Sequence, residues 1–230
     1  MLEILKNREK ETLLAYLQFQ RASGLLAHVE EVTIDMWGAY ADAVRMVFGS
    51  QVRITIDRFH VMKGFQEQLD AARRQLQKSL PEEAGKALKG MRYLFLKNRE
   101  TLTEQEREEL AEIKKLFPEL GRLHDLREAF RRVFEIRKRS TRAGEHRLRA
   151  WIAEARNLGI KSLNTFCHTL ETWMSSIVNY FVNRASNGQT EGFNHKLRVV
   201  LWRSFGMPSF EHFRLRILDA CGKHSIQRSP

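Results

Sequence analysis

The sequence predicts an α/β protein that is mostly helical, and three observations predict it. Only two segments alternate apolar and polar residues as strands do, and both lie within residues 30–57. The stretch between them has room for a three-turn helix. Everything downstream is rich in charge and carries its apolar residues at helical spacing.

The elements follow in order. The opening segment LEILKNREKETLLAYLQF reads as helix. EEVTIDMW (30–37) sets Val32, Ile34 and Met36 against Thr33 and Asp35, and QVRITID (51–57) repeats the pattern with Val52, Ile54 and Ile56. GAYADAVRMVFG, closed by Gly49, supplies the crossover helix that a parallel pair of strands requires. Both strands run into an aspartate, Asp35 and Asp57, and in open α/β sheets ligands gather at the carboxyl ends of strands. Residues 58–80 line up Met62, Phe65, Leu69, Ala72 and Leu76 on one stripe and stop before Pro81. From 82 to about 160 the chain reads as an all-helical subdomain, with a capping box at Thr103 and Glu106 and a break at Phe117-Pro118. A single helix is expected over 163–184, carrying Phe166, Leu170, Trp173, Ile177 and Tyr180 toward the core, and a last one within MPSFEHFRLRILDA. Three segments result: 1–80 with the two strands, 81–162 as a helical insertion, and 163–230 as further helices.

Composition narrows the function. The 230 residues, 43% hydrophobic, suffice for a folded core. No apolar run approaches a membrane span, and the charged first segment lacks the apolar stretch of a signal peptide, so no membrane partner and a cytoplasmic location are expected. Cys167 and Cys221 have no neighbours at metal-ligand spacing and read as two buried thiols. The 39 Lys and Arg against 28 Asp and Glu leave a formal charge of +11, which favours a polyanion, with nucleic acid first among candidates. The excess is dense in REAFRRVFEIRKRSTRAGEHRLR (127–149), where Arg131, Arg132, Arg137, Lys138, Arg139 and Arg142 are candidate DNA contacts. An ordinary solvated helix face is the alternative there.

The segment NRASNGQTEGFNHKLRVV (183–200) holds one acid, Glu191. On a helix capped by Ser186 or Asn187, Phe193, Leu197 and Val200 lie opposite Glu191 and are expected to face the core. Asn187, Asn194, His195 and Arg198 fall within about 60° of Glu191 on the other face. Spacing alone favours the commoner role of a lone helical glutamate, a first-turn residue stabilised by the helix dipole or paired with Arg198.

Four stretches, VTIDMWGAYADAVR, ITIDRFHVMK, YLFLKNRETLTEQEREEL and SNGQTEGFNHKLRVVLWRSFGMPSFEHFRLRIL, resemble the DDE transposases of the ISL3 insertion-sequence family. The resemblance covers nearly the whole chain. It implies a ribonuclease-H-like core interrupted by an all-α insertion, and metal-dependent DNA strand cleavage and transfer with Mg²⁺ or Mn²⁺. Asp35 matches the second aspartate of the catalytic triad and Glu191 its glutamate, both as metal ligands, and hard oxygen donors suit such cations. Asp57 and His60 match an accessory Asp-Arg-Phe-His signature, a strand-end or helix-cap role for Asp57 being the alternative. Lys196 and Arg198 join the candidate DNA contacts.

The family takes its first catalytic aspartate from an earlier strand, whereas residues 1–34 contain none. The chain is therefore expected to correspond to the C-terminal part of a transposase, with a partial core, inactive alone and able to form a homodimer or to associate with full-length transposase. A trio of Asp35, Asp57 and Glu191 is the minority arrangement. A catalytically inactive basic DNA-binding or regulatory protein is the alternative function. An unrelated phosphate-binding domain ranks last, because no glycine-rich loop follows either strand.

Overall fold

A computed structural model describes residues 3–82, 85, 92–135, 139–204 and 209–221. Contacts gather the chain into two compact units. The first joins residues 1–57 to 185–230, and the second is 58–184. These units are drawn by packing and the three sequence segments by composition; packing assigns residues 58–80 and 163–184 to the same unit as the insertion.

In the first unit, α1 (Lys10–Ala22) packs against α2 (Gly38–Phe48), the crossover between β1 (Glu31–Ile34) and β2 (Arg53–Ile56). The strands pair in parallel, as the sequence predicts, with Val32 opposite Ile54 and Ile34 opposite Ile56. β2 buries Ile54, Thr55 and Ile56 in succession, so both of its faces are covered. The Thr55 hydroxyl survives there by donating to the Glu31 carboxylate across the strands. Gly49 ends α2 at φ 81°, a left-handed setting that a side chain resists. The unit also contains α10 (Gly188–Arg203) packed on α11 (Phe210–Cys221).

Every described element of the second unit is a helix. α3 (Arg58–Lys78) packs on α6 (Pro118–Val133) and α8 (Lys161–Thr172); α7 (Thr141–Arg156) packs on α6, α8 and α9 (Met174–Asn183). Its centre is aromatic. Phe65, Phe130, Trp151 and Phe166 meet with ring centroids 4.4–6.0 Å apart, and the Trp151 indole N–H reaches the Leu126 carbonyl at 2.9 Å. A smaller apolar cluster joins α4 (Arg92–Leu96), α5 (Glu104–Leu116) and α6 through Leu94, Phe95, Leu110, Ile113 and Leu120. The Thr103–Glu106 capping box is formed at the start of α5, and Pro118 begins α6.

Two expectations change. The helix read over 163–184 is two helices, α8 and α9, meeting at Trp173, whose φ of −99° and ψ of 8° leave α-helical geometry. Phe193, Leu197 and Val200 are half-buried, and no described side chain of α10 is fully buried, because this helix packs against α11 along a narrow strip. Cys167 is buried and its thiol is pushed up by that burial, while the Cys221 side chain, like Met207 and Pro208, lies outside the described residues.

Gly144 on α7 is required by Phe181: a Cβ there would stand 2.1 Å from Phe181 Cδ2. Gly144→Ala should destabilise the protein by about 1–2 kcal/mol despite the better helix propensity of alanine. Urea unfolding checks it. An unchanged or raised midpoint would mean that Phe181 moves aside freely.

Candidate functional site

Asp35 and Asp57 follow the last paired residues of two adjacent strands, and the Asp57 N–H still donates to the Ile34 carbonyl at 3.2 Å. Parallel pairing thus delivers both aspartates to the same sheet end, about 5 Å apart between strands. Their environments differ. The Asp35 side chain is one-third exposed, whereas Asp57 is buried, with 2% of its surface accessible.

Asp57 has a defined task. Its Oδ2 accepts the Asn187 N–H at 3.3 Å, 130 positions downstream, and Asn187 is the N-cap of α10. The first four N–H groups of a helix lack intrahelical partners and carry the positive end of its dipole, so a carboxylate is well placed there. The Asn187 carbonyl accepts the Glu191 N–H at 2.8 Å, closing the first turn. Asp57 therefore fixes the start of the helix on which Glu191 stands one turn later. Glu191 is half-buried and, among the described residues, makes no ion pair with Arg198 or any other base. Asn194, His195 and Arg198 are exposed on the same helix. His60 lies in the first turn of α3, in the other unit, with its ring edge-on to Phe59 at 5.6 Å.

Sequence reasoning missed two residues beside Asp35. The Arg8 guanidinium stands 3.9 Å from Asp35 Oδ2 and 4.9 Å from the centre of the Trp37 ring, which in turn leans on Tyr40. Arg8 sits in an ordinary run of charge, KNREKE, and carries no spacing signal; Trp37, two residues past a strand-end aspartate, was the available clue.

A profile of the ISL3 transposases matches residues 1–217, nearly the entire chain. The chain belongs to the ISL3 transposase family. The transposase of insertion sequence element IS1001 from Bordetella parapertussis is 28% identical over 220 residues, which is 93% of this chain and 52% of the relative. The transposase of IS1557 from Mycobacterium tuberculosis is 32% identical over 127 residues, 55% of this chain and 28% of that protein. The chain thus spans about half the length of the first of these relatives and less of the second. No solved structure matches it significantly.

For a member of the ISL3 transposase family the carboxylates raise the question of metal. Asp35 and Glu191 have the hard oxygen chemistry that Mg²⁺ or Mn²⁺ prefers. The number falls short: among the described residues no three His, Cys, Asp or Glu side chains gather so as to hold an ion. Asp35, Asp57 and Glu191 do not by themselves assemble a divalent site, and Asp57 is engaged with α10 instead. No helix among the described residues is long and apolar enough to cross a membrane.

The basic residues divide into two groups. Arg131, on α6, is largely covered and pairs with Glu100, with Glu128 at 3.2 Å and with Glu135 at 3.6 Å. The bond from Arg131 holds the Glu100 carboxyl down at about 2, and the same bond raises the guanidinium. Arg127 is buried beside it and donates to the Lys97 carbonyl at 3.1 Å and to Asn98 Oδ1 at 3.0 Å. These two arginines brace α6 against residues 97–101. Arg132, Arg139 and Arg142 are exposed in the same unit, and Lys196 and Arg198 are exposed on α10, with Lys196 donating to the Ala220 carbonyl at 2.8 Å. Arg137 and Lys138 lie outside the described residues.

Proposed function

We propose that this chain is the portion of a DDE transposase that contributes Asp35 and Glu191 to DNA strand cleavage and transfer and binds the DNA backbone through exposed bases. The observation that carries this reading is the pairing of a family match over residues 1–217 with two strand-end aspartates, one of which anchors the helix bearing Glu191. In this reading the β1–β2 pair belongs to a ribonuclease-H-like core divided by residues 58–184, and Asp35 and Glu191 are ligands for Mg²⁺ or Mn²⁺. With only these two the ligand shell is sparse. The 230-residue chain is accordingly inactive alone, and it completes its site with the upstream part of a transposase, in cis or by association.

The test compares the chain alone with a version joined to the upstream segment of a relative. The chain alone should show no strand transfer with either cation, while the joined version should gain activity that Glu191→Gln and Asp35→Asn abolish. Metal-dependent cleavage by the unmodified chain, lost on Asp57→Asn, would replace this reading with the trio of Asp35, Asp57 and Glu191. A second reading, a catalytically inactive DNA-binding regulator, rests on the exposed bases Arg132, Arg139, Arg142 and Arg198. Binding without cleavage even in the joined version would establish it.

DNA binding should be dominated by phosphate contacts. With four or so contacts from Arg132, Arg139, Arg142 and Arg198, affinity should fall about a hundredfold between ~50 and ~200 mM salt, with little dependence on sequence. Titrating a random duplex and an element end across a salt series measures both. Strong preference for the end at physiological salt would place sequence recognition within this segment.

A further inference from the structure

The Arg8 guanidinium is an unusual surface charge. Its side chain is 71% exposed, yet it is fixed on two sides, over the Trp37 ring at 4.9 Å and beside Asp35 Oδ2 at 3.9 Å. The second distance is an ion pair and too long for a hydrogen bond, and among the described residues Arg8 donates none. Its five donors remain available in a planar fork that matches a phosphate. The platform beneath it is itself held. Trp37 lies 4.6 Å from the Tyr40 ring, and its N–H donates to the Asp35 carbonyl at 2.7 Å, closing a tight turn at the strand end. Stacking of this kind lowers the entropy lost when an arginine is immobilised by a ligand, because the side chain is already placed.

We propose that Arg8 is a phosphate-binding residue: laid on Trp37 beside Asp35, it receives a phosphodiester of the DNA backbone next to that carboxylate. The proposal rests on the DNA-directed reading given above and adds to it a residue that positions the strand at Asp35. The neighbouring carboxylate does not cancel the site. One weak contact neutralises little of a largely hydrated guanidinium, and the side of the fork away from Asp35 faces solvent. Asp35 does lower the local attraction for phosphate, so its charge has a measurable sign.

The experiment measures affinity of the 230-residue chain for a labelled random duplex across a salt series, in wild type, Arg8→Ala, Arg8→Lys, Trp37→Leu, the Arg8→Ala/Trp37→Leu pair, Asp35→Asn, and Arg149→Ala as a control for net charge. Arg149 is exposed and paired with Glu145 in the other unit. Arg8→Ala should weaken binding about tenfold at low salt and reduce the log–log salt slope by about one phosphate contact. Arg8→Lys should recover the slope and only part of the affinity, because the fork and the stacking are lost. Trp37→Leu should weaken binding in wild type and have no further effect once Arg8 is alanine. Asp35→Asn should tighten binding. Arg8 is exposed, so unchanged melting of Arg8→Ala is expected and separates lost contact from lost fold. Equal effects of Arg8→Ala and Arg149→Ala, or an additive Arg8 and Trp37 pair, would overturn the proposal while leaving the functional reading intact. Absence of DNA binding by the wild type would overturn both.

Discussion

Phe130→Ala is expected to destabilise the helical unit by about 4 kcal/mol, near the upper end for a single core truncation. Phe130 is wholly inaccessible and lies between α3, α7 and α8, with ring centroids 4.4 Å from Phe65, 4.6 Å from Trp151 and 5.5 Å from Phe166. No neighbour can collapse into the vacated volume without breaking its own ring contacts, so the transfer loss and the cavity loss add. For a unit of this size the melting temperature should fall by about 15 °C. Phe130→Leu retains most of the volume and should cost about 1–2 kcal/mol. Calorimetry distinguishes the two variants; a drop of only a few degrees for Phe130→Ala would show that the aromatic cluster does not organise the unit.

Asp57→Ala should cost about 2–3 kcal/mol and loosen the start of α10. The substitution removes a buried acceptor from the Asn187 N–H and a negative charge from a helix N-terminus, and each loss is on the order of 1 kcal/mol or more. Asp57→Asn keeps an acceptor and should lose roughly half as much. Hydrogen exchange over residues 187–191 provides the readout, because amides there should exchange faster in Asp57→Ala and nearly as slowly as wild type in Asp57→Asn. Protection unchanged in both variants would release Asp57 from its anchoring role and return it to the candidates for metal.

The strands and their parallel pairing were legible because their alternation, the crossover-length helix and the closing Gly49 all agree, and local signals in agreement specify a structure well. The capping box at Thr103 was legible for the same reason. The interruption at Trp173 was not: the apolar spacing continues across it, and a change in backbone angles at one residue leaves no mark on periodicity. At the site, the aspartates became candidates from their strand ends, whereas Glu191 was singled out by the family resemblance and not by its helical spacing. The Asp57–Asn187 bond could not, because a contact across 130 positions is written in neither segment alone. The density of arginine in 127–149 suggested a polyanion surface, but charge counting does not separate Arg131, enclosed by three glutamates, from the exposed Arg132 beside it.

The division of the first unit into residues 1–57 and 185–230 also has a consequence for biosynthesis. Residues 1–57 leave the ribosome with α10 still untranslated, and at about 5–20 residues per second the 127 residues of the inserted unit take roughly 6–25 s to follow. The inserted unit is contiguous and built of local helix pairs, the topology that folds fastest. It should be native before Asn187 is available to Asp57. The order of synthesis thus prescribes a nascent chain in which the inserted unit is folded while the unit around it is unfinished, so that the two-stranded sheet waits for its last helix and is exposed meanwhile to chaperones and proteases.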